Sequence, residues 1–155
     1  MTEPADRPGV VALPPLIYLA ALVAGLLLHL LLPLTMPIPP AVRGTGAGLL
    51  LMGLVLAGIA RAAFSRAGTN ANPHQPATAL VTSGAYRLSR NPMYVGLALV
   101  FVGLALWTGV GWLLVLFPGV VAIMHWGVVL REERYLARKF GAEFQAYRAR
   151  VRRYL

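Results

Sequence analysis

Residues 92–130 carry no charged side chain, a run of 39 positions. As one helix it would measure about 58 Å, nearly twice the ~30 Å hydrocarbon thickness of a bilayer. The run therefore has to fold back on itself. The sequence Trp107-Thr108-Gly109-Val110-Gly111-Trp112 offers the turn, with glycines to bend it and tryptophans suited to a membrane interface. Two antiparallel spans follow, about 92–107 and 112–130, joined as a tight helical hairpin.

Two further spans precede the hairpin. Residues 12–32 hold no charge, and about twenty residues at ~1.5 Å each reach across a bilayer. The stretch is too long for the apolar core of a signal peptide and has no clear small-residue cleavage site, so it reads as a retained span. Pro33, Pro37, Pro39 and Pro40 end it. The next span covers about 46–64, with Arg61 placed to snorkel to the headgroups. Just before it, residues 43–48 read RGTGAG. A glycine loop of the soluble nucleotide-binding kind needs a preceding strand, whereas a proline-rich loop precedes this one. Gly44 and Gly48, extended by Gly53 and Ala57, read instead as a small-residue face for close helix packing.

With 58% of 155 residues hydrophobic and only 12% charged, the chain is too apolar for a water-soluble domain of its size. The expected fold is all-α: one polytopic membrane domain of four transmembrane helices, whose C-terminal hairpin leads into an interfacial amphipathic helix. The net charge of +9 raises nucleic acid as a partner, but the basic residues sit beside apolar runs, a placement that anionic lipid headgroups explain more simply. Absence of cysteine excludes disulfides, thiolate metal sites and thiol nucleophiles, and no histidine spacing points to a metal.

The polar segments carry the rest. Residues 1–11 form a proline-rich tail with Glu3, Asp6 and Arg7 that is too short to fold alone. The loop 65–91 is too turn-rich for a span and too short for a domain, and loops of such length tend to be functional. Over residues 131–151, Leu136, Phe140, Phe144, Tyr147 and Val151 recur on one helical face. From residue 131 onward eight basic residues stand against three acidic ones, so this helix is expected along an anionic membrane surface, with Gly141 placed to kink it. Four spans put the tail, the 65–91 loop and the C-terminal helix on one side with nearly all the arginines, leaving Arg43 alone on the other. The positive-inside rule makes that first side, and both termini, cytoplasmic.

On the cytoplasmic side two polar clusters come together. Tyr86, Arg87, Arg90, Asn91 and Tyr94 stand at the start of the third span, and Arg131, Glu132 and Glu133 at the end of the fourth. The hairpin sets these ends side by side. Spacing alone also allows a plain interface, with arginines on headgroups and tyrosines in an aromatic belt. Consecutive glutamates cannot face one direction on a helix, so one at most is expected to point inward.

GAYRLSRNPMYVG, followed some 35 residues later by REERYLARKFGAEFQAYRARVRRYL, resembles the isoprenylcysteine carboxyl methyltransferase and phospholipid methyltransferase superfamily. These are integral membrane enzymes that use S-adenosylmethionine, and the resemblance covers roughly residues 68–154. It implies cofactor contacts from Asn91, Pro92, Met93 and Tyr94, partly through backbone, and from Glu132. The family's histidine before proline is Asn91 here, which argues against this side chain as an obligatory general base. An arginine one turn before the first glutamate in eukaryotic members is Val128 here, leaving Arg131 or Arg90 to stand in. Arg90, Asn91 and Arg131 are thus the candidates nearest the chemistry.

The residue types suit such a donor. Arg90 or Arg131 can pair bidentately with its carboxylate, Glu132 can accept from its ammonium or ribose hydroxyls, and Tyr86 or Tyr94 can line the adenine or sulfonium. Among the histidines, His125 lies less than two turns before Glu132 and is the preferred cofactor-side candidate; His29 reads as a packing residue and His74 as solvated. The acceptor is expected to be a lipophilic or lipid-linked molecule entering sideways from the bilayer of a bacterial inner membrane. A nicotinamide-dependent membrane reductase of similar fold and a non-catalytic scaffold or transport subunit are the competing readings. Oligomeric state leaves no signature in the sequence.

Overall fold

The computed structural model describes residues 6–155; the first five, Glu3 among them, lie outside the described residues. The chain forms α1 (Pro14–Leu31), α2 (Pro40–Arg66), a single 3-10 turn (Gly84–Arg87), α3 (Pro92–Thr108), α4 (Gly111–Ala122) and α5 (Leu130–Arg150). A π-helical stretch, Ile123–Val129, joins α4 to α5 without a break. Proline occupies the first turn of α1, α2 and α3, where its missing N–H costs nothing and its fixed φ favours the helix. Three helices, Pro14–Leu31, Pro40–Arg66 and the continuous Gly111–Arg150, are long and apolar enough to cross a membrane, and Pro92–Thr108 is a shorter apolar helix.

The reversal falls where the tryptophans and glycines put it. α3 stops at Thr108, Gly109 takes φ 77°, and α4 starts at Gly111. The segment after α1 braces the turn: Trp112 Nε1 donates to Leu32 O at 2.7 Å, Met36 N to Gly109 O at 2.9 Å and Gly111 N to Leu34 O at 2.8 Å.

Helices α2 and α3 run antiparallel with their backbones nearly touching. A Cβ placed on Gly53 would lie 2.5 Å from Gly96 O, and one on Gly103 would lie 2.5 Å from Leu50 N. Gly46 and Gly53 are seven residues apart, as are Gly96 and Gly103, so each pair stays on one helical stripe. The small-residue face is therefore Gly46, Gly53 and Ala57. Gly44 and Gly48 have open space around them, because α2 begins at Pro40 and winds RGTGAG into helix.

Tyr18, Phe101, Ala105, Leu113, Met124 and Val128 form the main core between α1, α3 and α4. Outward, α1 and α2 expose Leu19, Leu26, Leu27, Leu51, Val55 and Ile59. So much exposed aliphatic surface suits lipid rather than water.

Two expectations need correction. Residues 6–11 are not a loose tail: Val10 is buried, Val11 N donates to Gly127 O at 3.1 Å, and Asp6 accepts from Lys139 Nζ at 2.6 Å and from the Tyr135 hydroxyl at 2.9 Å. The C-terminal helix is not a separate element either. It continues α4 to Gly141, whose φ of 46° and ψ of −119° kink it. Of the apolar face expected here, Phe144 and Tyr147 are buried against the protein, with the Tyr147 hydroxyl donating to Tyr86 O at 2.7 Å.

Candidate functional site

The kink at Gly141 swings the end of α5 back over the start of α3 and leaves a cavity beneath. Its walls come from the end of α2 (Phe64), the loop 70–81, the 3-10 turn (Tyr86), the start of α3 (Arg90, Asn91, Met93, Tyr94) and α5 (Glu132, Glu133, Tyr135, Leu136, Phe144, Tyr147), with Pro8 at its edge. The loop is held by side-chain oxygens just before it and on α5. Thr69 Oγ1 accepts from Thr78 N and Ala79 N, and Ala77 N donates to the Tyr135 hydroxyl at 3.0 Å. These bonds satisfy backbone groups that a non-helical segment would otherwise leave unpaired.

Both glutamates reach the cavity. Glu132 Oε1 accepts from the Tyr94 hydroxyl at 2.7 Å, and Glu133 makes an ion pair with Arg90 Nη2 at 2.8 Å and a two-pronged one with Arg153, at 2.8 Å from Nη2 and 3.1 Å from Nε. The expectation of a single inward carboxylate fails because the cavity wraps around α5 and offers each residue its own partner. Arg90 is nearly buried, its side chain 8% exposed, and its Nη1 donates to Arg148 O. Among the described residues its Nε has no partner although it is buried, on a side chain that lines the cavity.

Glu132 lies two residues beyond Leu130, the last residue of the uncharged run, at the height where charged side chains resume. Burial pushes its carboxyl up to about 7, the Tyr94 hydrogen bond opposing and the Glu133 charge adding to the shift. Burial also pushes the Tyr86 hydroxyl up, reinforced by Glu132, and raises that of Tyr147 to about 12 against the pull of Arg90. Both phenols remain hydrogen-bond donors at neutral pH.

Of the residues singled out in the sequence, Tyr86, Arg90, Asn91, Met93, Tyr94 and Glu132 line this one cavity. Asn91 is nevertheless committed elsewhere: its Nδ2 donates to Arg153 O at 3.0 Å while its backbone N donates to Ser89 Oγ. With Arg90 N donating to Arg152 O, it latches the C-terminal segment onto α3. Pro92 is fully buried at the helix start and is absent from the cavity wall. Arg131 and His125 do not belong to the cluster. Arg131 points to the outer side, where its Nη1 donates to Gly9 O at 2.8 Å, and His125 Nδ1 lies 2.7 Å from the Tyr154 hydroxyl. Glu133 and Arg153 as a pair, and the loop residues Asn70, Asn72 and Gln75, went unseen in the sequence. Only the length of the loop signalled them.

Residues 42–143 match the family model described as phospholipid methyltransferase. An uncharacterized protein of Haemophilus influenzae is 37% identical over 65 residues, which is 41% of this chain and the whole of that protein. No solved structure matches. The family match spans both polar clusters and stops short of the latch at Arg152 and Arg153.

Proposed function

Since the chain belongs to the phospholipid methyltransferase family, we propose that it transfers a methyl group from S-adenosylmethionine to a lipophilic acceptor at the cytoplasmic face of a bacterial inner membrane. The acceptor is a phospholipid, an isoprenylcysteine carboxylate or a related lipid. In this reading all four apolar helices cross the bilayer and both termini are cytoplasmic. α3 is short, but it packs along α2 from Gly96–Gly53 to Trp107–Gly46, so the two share a depth. The arginine distribution supports the orientation.

The observation that carries the proposal is the orphaned Nε of Arg90, buried in a cavity that also holds the Tyr94–Glu132 pair. A buried donor without an acceptor is costly and awaits an anionic ligand group. Arg90 and Arg153 against Glu133 leave one surplus positive charge, suited to a carboxylate, while Glu132 offers acceptor oxygens for an ammonium or ribose hydroxyls. Phe64, Tyr86, Phe144 and Tyr147 supply aromatic wall for a flat ring or a sulfonium. When bound, S-adenosylmethionine supplies a methyl carbon already activated by its sulfonium. The protein's share is then positioning and exclusion of water. The loop 70–81, Pro8 and the kinked end of α5 close the cavity, and the Glu133 ion pairs hold that end in place.

Calorimetric titration of the purified, detergent-solubilised protein with S-adenosylhomocysteine and with NADPH tests the reading. Binding of the first alone is expected. Binding of NADPH in its place would establish a reductase, and binding of neither would leave a scaffold.

A further inference from the structure

Across the strap at Pro8, which also edges the cavity, Arg131, Arg134 and Arg138 line a shallow polar groove whose other wall is Pro8 and Gly9. We propose that this groove is a binding site for the phosphodiester of an anionic membrane phospholipid, distinct from the donor cavity and independent of methyl transfer. Residues 131, 134 and 138 are spaced by three and four, so their side chains project from one helical face over about 10 Å. Arg131 is the first charged residue after the 39 uncharged ones, which sets the groove at headgroup depth in a bilayer-spanning chain.

Among the described residues no carboxylate pairs with any of the three arginines. The neighbouring acids are engaged elsewhere: Glu132 with Tyr94, Glu133 with Arg90 and Arg153, Asp6 with Lys139. Arg131 spends one N–H on Gly9 O and Arg134 its Nε on Leu130 O, which orients both guanidinium groups and leaves their remaining N–H groups open. A planar fork of donors matches two oxygens of a phosphate better than a lone ammonium does. The strap at Pro8 and Gly9 gives the site a wall, which distinguishes it from the diffuse attraction of Arg148, Arg150 and Arg152 farther along the chain.

The test is native mass spectrometry of the full chain in mild detergent, titrated separately with phosphatidylglycerol, phosphatidylcholine and inorganic phosphate. Phosphatidylglycerol is expected to bind most tightly, and R131Q/R134Q/R138Q to weaken it about a hundredfold, at about fivefold per arginine. R134Q/R138Q leaves the Arg131–Gly9 contact intact and is expected to lose about twenty-fivefold on the same scale, which keeps the test valid should the triple variant fail to fold. R148Q/R150Q/R152Q removes equal charge and is expected to stay within about threefold of the parent. Four results would overturn the assignment: undiminished binding in the double variant, an equal loss in the R148Q/R150Q/R152Q control, phosphatidylcholine held as tightly as phosphatidylglycerol, or saturation by inorganic phosphate at the lipid's concentration.

Discussion

Replacing Glu133 by glutamine keeps the shape of the side chain and deletes the charge between Arg90 and Arg153. Glu133 is 9% exposed and the Arg90 side chain 8%, so the Arg90 guanidinium would stay buried with its nearest counter-charge gone. Breaking a buried pair from one side costs about 3–5 kcal/mol. The Arg153 side chain is 30% exposed and can rehydrate, which favours the lower end, about 3 kcal/mol. For a chain of this size that corresponds to a fall in melting temperature of roughly 6–12 °C. Thermal unfolding in detergent, followed by intrinsic fluorescence, reads it directly. Glu132→Gln, by contrast, removes a carboxylate whose ionised form burial disfavours, and is expected to leave the melting temperature unchanged or slightly raised while weakening S-adenosylhomocysteine at least tenfold. A melting temperature for Glu133→Gln within about 2 °C of the parent would refute the buried three-residue cluster.

Two other predictions concern the cavity and the helix packing. Because the Glu132 carboxyl titrates near 7, S-adenosylhomocysteine is expected to bind about tenfold more tightly at pH 8 than at pH 6, and Glu132→Gln to bind with no such dependence. The same raised carboxyl keeps in the folded state a proton that the unfolded chain releases, so stability from this group falls as pH rises from 4.5 to about 7 in ligand-free thermal melts. Gly103→Leu would drive a Cβ to 2.5 Å from the Leu50 backbone and is expected to prevent accumulation of folded protein, whereas Gly48→Ala meets open space and is expected to melt at or slightly above the parent temperature.

What the sequence revealed and what it hid divide at the π-helical stretch. The uncharged run, its glycine turn and the antiparallel return rest on length and polarity, which a chain displays openly. Meeting of Tyr94 with Glu132 and of Arg90 with Glu133 follows from that hairpin. Rotation about the helix axis is a finer property and needs the phase counted residue by residue. His125 and Glu132 are seven apart, which in an unbroken α-helix puts them on one face. Ile123–Val129 instead makes wider turns that absorb one extra residue, a phase shift of about 100°. That shift accounts for His125 facing Tyr154 and helps turn Arg131 outward to Gly9, while Glu132 and Glu133 face the cavity. The C-terminal latch was hidden for another reason. Asn91 and Ser89 both donate to the carbonyl of Arg153, and Arg90 N to that of Arg152, so the recognised groups are backbone oxygens that any residue could supply. An asparagine before the proline thus has a structural task of its own here, tying the C-terminal segment to α3, and of the polar groups beside it in the cavity wall Arg90 Nε is the one that the fold leaves unpaired among the described residues.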